Sequence, residues 1–365
     1  MHYAAWGPLC AKSTNLRPLL SRTTLLWSQC PPSSYLKSEF QLWARLADCH
    51  VTISHFDPNF ARDLHRSVVG NYERLRLKDL TRVLAYFYHF GYPYIIGSDT
   101  LDGVSIYELA VKHIQSPEVR AVLWTHRECL PSILEAVSMA ACYPHDLYNT
   151  VLSNEFIDSF NKQYYPFRPL RILYYLDCSI VVESDKQYHG SRLPPEFIRE
   201  GQMELQASHH VHANRITPKQ KFGRQVQHYA AEFLACEKKF IYHGQILPHF
   251  AAHDICIRYL DRRLTPFIAK VHETNVMWAD LAVPQNEVRL ALVPLGERSG
   301  ANRNPAKLLG SERVRMRQLS RLGYTVVPIH ELKWNRSRSV YLADLLNPII
   351  VKHKLCSQWS EDRQH

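Results

Sequence analysis

The chain has 365 residues, 46% of them hydrophobic, and a formal net charge of +10. That length allows two or three domains with real cores, and no apolar run approaches the roughly 18 residues that a membrane span needs. The positive balance favours polyanionic partners, nucleic acid before anionic membrane. The 9 cysteines are scattered without a C-x-x-C pair, which argues against a zinc ribbon and for a reducing compartment. Residues 1–38 hold Lys12, Arg17, Arg22 and Lys37 but no Asp or Glu, a composition expected of a mitochondrial targeting segment.

From about residue 39 to 160 the pattern is helical. "PNFARDLHRSVVGNYERL" and "LKDLTRVLAYFYHFGYP" carry apolar residues at spacings of three and four, with Leu77, Leu80, Leu84 and Phe87 in one stripe. "LPSILEAVSMAACYPHDLYNTVLSNEFI" repeats the plan, and the aromatic-proline stops at Tyr92-Pro93 and Tyr143-Pro144 suggest a short α-solenoid of helix pairs. A second region, 165–255, opens with the apolar run and acidic turn of "RPLRILYYLDCSIVVESDKQYHGSRLPPEF". Its "LQASHHVHANRITPKQ" reads as a loop, and "GRQVQHYAAEFLACEKKF" resumes a helix. His209, His210, His212, His249 and His253 lack a supporting carboxylate pattern and read as loop or surface residues.

From about 256 to 352 the period changes. "VMWADLAVP", "VRLALVPL" and "YTVVPI" read as strands with a helix before the last, an α/β unit with its boundary near 255–262. On the helix, Arg313, Arg317 and Arg321 recur every four residues and should form one face. Met316, Leu319 and Leu322 should pack inward, Arg315 projects with that inner arc, and Gly323 supplies the stop. Arginine's planar fork suits phosphate, and Tyr324 and Trp334, near Lys333 and Arg336, offer flat faces for unpaired bases.

Two of these stretches resemble the FAST kinase domain-containing proteins. Leu173, Leu176-Asp177, Val182-Glu183, Tyr188, Gly190 and Arg192-Leu193-Pro194 match the second FAST-type region. The basic helix at 313–322, then Gly323-Tyr324, Val326-Val327, Ile329 and Trp334, look like the RAP module that ends members of that family; Leu332 stands where many such modules carry another tryptophan. The resemblance implies a helical, solenoid-like N-terminal region followed by a RAP domain of restriction-endonuclease-like fold. It also implies a mitochondrial-matrix RNA-binding regulator of transcript processing, stability or translation, acting with other RNA-processing proteins and without a cofactor.

Kinase chemistry finds no footing in the residues: there is no Gly-rich loop before a V-A-I-K-like strand, and "HRE" at 126–128 lacks the downstream Asn. A nuclease of the restriction-endonuclease class needs an acid on one strand and an acidic-x-Lys triplet on the next, to hold a divalent metal. Asp280 sits where the first acid is expected, but Val293 and Leu295 replace the others, and Glu297 lies beyond the strand. The sequence therefore reads as a degenerate nuclease site and an RNA-binding set of Arg313, Arg315, Arg317, Arg321, Tyr324, Lys333, Trp334 and Arg336. A metal-dependent ribonuclease and a protein–protein adaptor are the alternatives.

Overall fold

A computed structural model describes residues 36–93, 104–164, 170–184, 187–210, 217–266, 284, 286–301, 304 and 307–355. The 1–38 segment lies almost wholly outside them, as do Asp280 and the expected strand around it. The chain divides into two compact units: 1–168 with 300–313, and 169–299 with 314–365. The first unit is a helical region and the second carries a mixed sheet.

The first unit holds α1 (Leu36–Thr52), α2 (Pro58–Asn71), α3 (Leu77–Phe90), α4 (Ile106–Gln115), α5 (Pro117–Leu123), α6 (Cys129–Val137), α7 (His145–Val151) and α8 (Asn154–Tyr164). Asp57 caps α2, accepting from the Asn59 and Phe60 amides at 2.9 and 3.3 Å, with Pro58 preset for the first turn. Helix α3 packs between α1 and α6 and buries the whole Leu77, Leu80, Leu84, Phe87 stripe together with Val83, Tyr86 and Phe90, which widen its apolar face. It ends at Gly91 (φ 67°), where the amides of Gly91 and Tyr92 bond back to Tyr88 and Phe87. A side chain at Gly91 would also meet the Leu308 carbonyl at 2.7 Å, so glycine is required there twice over.

The second unit opens with α9 (Leu170–Glu183), α10 (Pro195–His210) and α11 (Pro218–Phe233). Helix α10 extends through "LQASHH", the first part of the expected loop, and α11 takes its last three residues from Pro218. A reciprocal capping box between Thr217 and Gln220 starts α11. The strands are β1 (Ile241–Gly244), β2 (Asp254–Leu260), β3 (Arg263–Thr265), β4 (Glu287–Leu295) and β5 (Tyr324–His330). Their order is β1-β2-β4-β5, with β3 also on β2; β4 and β5 are parallel and the other pairings antiparallel. Helix α12 (Gly310–Arg321) makes the crossover that parallel neighbours demand. The division between units falls inside it, between Arg313 and Val314. Short α13 (Glu331–Trp334) and α14 (Arg338–His353) follow β5.

Alternation along the strands gives the sheet two unlike faces. One face presents Ile255, Ile257, Tyr259, Leu290, Leu292, Val327 and Ile329, which share a core with Phe222, Val226 and Ala230 of α11 and Leu342 and Leu346 of α14. The expected boundary at 255–262 thus falls inside a single core: the apolar stripe of α11 is buried against these strands. The opposite face carries Asp254, Cys256, Arg258, Arg289, Val293 and Tyr324.

Candidate nucleic-acid interface

Helix α12 was expected to present one arginine face, and its geometry divides those arginines instead. Arg313 is half-buried and its Nε donates to the Leu308 carbonyl at 3.3 Å. Arg317 forks onto Glu183 of α9, Nε at 3.0 and 3.1 Å and Nη2 at 2.9 Å from its carboxylate oxygens. The Glu183 side chain is only 1% exposed, so this pair holds α12 to α9 and its cation is neutralised. Arg321 alone of the three lies fully at the surface.

Arg315 points inward, as its helical position implied. It is 1% exposed, with Nη2 3.8 Å from Oδ1 of Asp254, which is 0% exposed. Beside them, Gln318 accepts from Nε2 of His249 at 2.7 Å and donates to Ser179 Oγ at 3.1 Å. His249 is therefore a buried core residue and not the surface histidine expected from its polar neighbourhood. Burial lowers its pKa to about 4, against a smaller upward pull from Gln318. Because the unfolded chain takes up this proton near pH 6.5 and the folded one only near 4, His249 makes stability fall as pH drops across that window. The loss is on the order of 3 kcal/mol at the acid end. Replacing His249 with Gln should flatten the dependence of the urea midpoint between pH 6.5 and 4, and an unchanged slope would place the titration elsewhere.

Neither aromatic platform is available to a base. Trp334 is 0% exposed, held edge-on between Phe222 (6.0 Å) and Tyr229 (5.4 Å) of α11. Tyr324 is 5% exposed beneath the Arg289 guanidinium, which lies 5.8 Å from its ring centroid. Tyr324 opens β5 and Trp334 ends α13, and each ring packs against neighbouring elements.

Lys333 and Arg336 are exposed, as is Arg338, whose Nη1 donates to the Tyr229 hydroxyl at 3.0 Å. They do not join Arg321. Arg321 precedes β5 and these residues follow it, so the strand separates them by about 20 Å at its usual rise per residue. Nearness in sequence here means opposite ends of the sheet.

The strand acid is Asp254 at the start of β2, one step beyond the Ile255–Leu292 pairing and hence across from Val293. Val293 and Leu295 are 0% and 1% exposed, so apolar packing takes the place of further acids. Glu297 is exposed, and its backbone amide donates to the Glu331 carboxylate at 3.1 Å. Among the described residues no group of three or more His, Cys, Asp or Glu is arranged to hold a metal ion. The one signal for Asp254 in the sequence was an acid opening the alternating "DICIRYL"; nothing there paired Glu183 with Arg317 or His249 with Gln318, since these partners are remote in the chain.

The stretch that carries the FAST-type resemblance forms a clasp. Asp177, 1% exposed, accepts Arg192 Nε at 2.7 Å, Arg192 Nη2 at 2.9 Å and the Leu193 amide at 3.0 Å. Tyr188 donates to the Ser191 carbonyl at 2.8 Å, and a side chain at Gly190 would meet the Tyr188 hydroxyl at 2.6 Å. These residues tie the turn after α9 back onto the helix, a folding role. Set against protein-family models, curated proteins and solved structures, the chain matches none of them.

Proposed function

We propose that this protein binds single-stranded RNA through the cationic surface of its second unit, without cutting it. The observation that carries the reading is the set of cations that reach the surface of this unit: Arg262, Arg263, Arg321, Lys333, Arg336 and Arg338 are exposed, while Arg315 and Arg317 face Asp254 and Glu183. The net charge of +10 agrees with a polyanionic partner. The resemblance to FAST kinase domain-containing proteins with a RAP module adds transcript regulation in the mitochondrial matrix, alongside other RNA-processing proteins, and the acid-free N-terminal segment suits that compartment. A restriction-endonuclease-like ancestry for the sheet agrees with Asp254 standing on a strand beside β4, its partner positions filled by Val293 and Leu295. Phosphate contacts release counterions, so affinity for RNA should fall steeply with salt, with a log–log slope of about −0.7 per phosphate engaged. Filter binding of the full-length protein to an oligouridylate across a salt series measures this. Salt-independent or absent binding overturns the reading.

A further inference from the structure

The sheet's second face gathers arginines that the sequence scatters. Arg258 on β2 pairs in register with Arg289 on β4, and Arg289 with Tyr324 on β5, while Thr265 on β3 lies across from Arg258. One row further out, Leu260 faces both Arg263 and Glu287. Residues matched in register share a face, so Thr265, Arg258, Arg289, Tyr324, Arg263 and Glu287 all stand on the side opposite the main core.

Like charges directly across a strand pair repel, and here one carboxylate holds two guanidinium groups together. Glu287 accepts Arg258 Nε at 2.8 Å and Nη2 at 3.2 Å, and Arg289 Nε at 2.5 Å. Burial opposes its charge, but the hydrogen bonds from Arg258 and Arg289 outweigh that and keep its carboxyl below the usual range. The Glu287 side chain is 1% exposed and those of Arg258 and Arg289 are 24% and 14% exposed. The forks are thus fixed from below by a buried anchor and reach solvent at their outer edge. Arg263 and Arg262, in the hairpin turn beside them, are exposed. Arg321 closes the group: it is exposed, and only Leu322 and Gly323 separate it from Tyr324, a Cα separation of at most about 11 Å. At this sheet end Arg258, Arg262, Arg263, Arg289 and Arg321 gather around Glu287 and the exposed Asp261.

We propose that this end of the sheet is the surface that grips the RNA backbone, the guanidinium groups of Arg258 and Arg289 preset by Glu287 and the exposed Arg263 and Arg321 taking phosphodiester oxygens. This rests on the RNA-binding reading above and locates it. Lys333 and Arg336, at the far end of β5, then stand outside the contact. The test compares two doubly substituted full-length proteins by filter binding to an oligouridylate over a salt series. Arg263→Ser with Arg321→Ser removes exposed side chains and spares the Glu287 anchor. Affinity at low salt should drop about tenfold and the slope should shallow by about 1.4, two phosphate contacts' worth. Lys333→Ser with Arg336→Ser should keep the parent slope. Arg258→Lys, which retains the charge but gives up the fork on Glu287, should weaken binding severalfold at a temperature where the variant remains folded. Loss confined to the Lys333/Arg336 protein, or shared equally by both, overturns the location while leaving RNA binding in place. A parent protein without salt-sensitive binding removes the reading and this surface together.

Discussion

Replacing Trp334 with Ala should destabilise the protein by about 3–5 kcal/mol, the range for emptying a large aromatic from a packed core. Its indole is fully buried and lies at the meeting of α11, α13 and the sheet, with Phe222 and Tyr229 edge-on to it. Neighbouring side chains cannot collapse into a gap of that size, because they belong to separate helices already docked on the strands. At a temperature where the variant remains folded, RNA affinity should stay within about twofold of the parent, since a side chain without exposed surface cannot stack on a base. Urea unfolding and filter binding on the same sample separate the two quantities. A large fall in affinity with little change in stability would restore Trp334 as a stacking platform.

Arg315→Ala should cost a similar amount, about 3–5 kcal/mol, through a different mechanism. It leaves Asp254, fully buried, without the cation 3.8 Å away that offsets its charge. The damage should therefore be relieved by removing the carboxylate as well. Arg315→Met with Asp254→Leu should recover most of the lost stability, because an apolar pair of similar volume avoids the desolvation of two charges. A double variant as unstable as Arg315→Ala would mean that Arg315 acts through packing or through its other contacts.

The clasp around Asp177 shows how far the sequence could be read. The cluster of Leu176-Asp177, Tyr188, Gly190 and Arg192-Leu193-Pro194 stood out as a motif because its members lie within twenty or so positions, and the turn they close is local. Its nature as a structural tie became visible only when the carboxylate was found under the Arg192 fork. The helical stripe of α3, the stop at Gly323 and the strands β4 and β5 were likewise legible, since periodicity and glycine at positive φ are properties of short windows.

Charge placement was another matter. Composition and spacing by themselves established a basic chain with a helical first region, strands from about residue 256 onward and an arginine-rich helix before the last of them. They could not establish which arginines face water. Arg317 and Glu183 are separated by 134 positions, and His249 and Gln318 by 69; helical spacing describes a residue's own element and is silent about what packs against it. The row of Arg258, Arg289 and Tyr324 exists only in the register of three strands, two of them joined through a crossover helix. A side chain's solvent is decided by tertiary neighbours, so the fold took Arg315 and both aromatic rings out of reach of a ligand, tied Arg317 to Glu183, and brought others together that the sequence keeps apart.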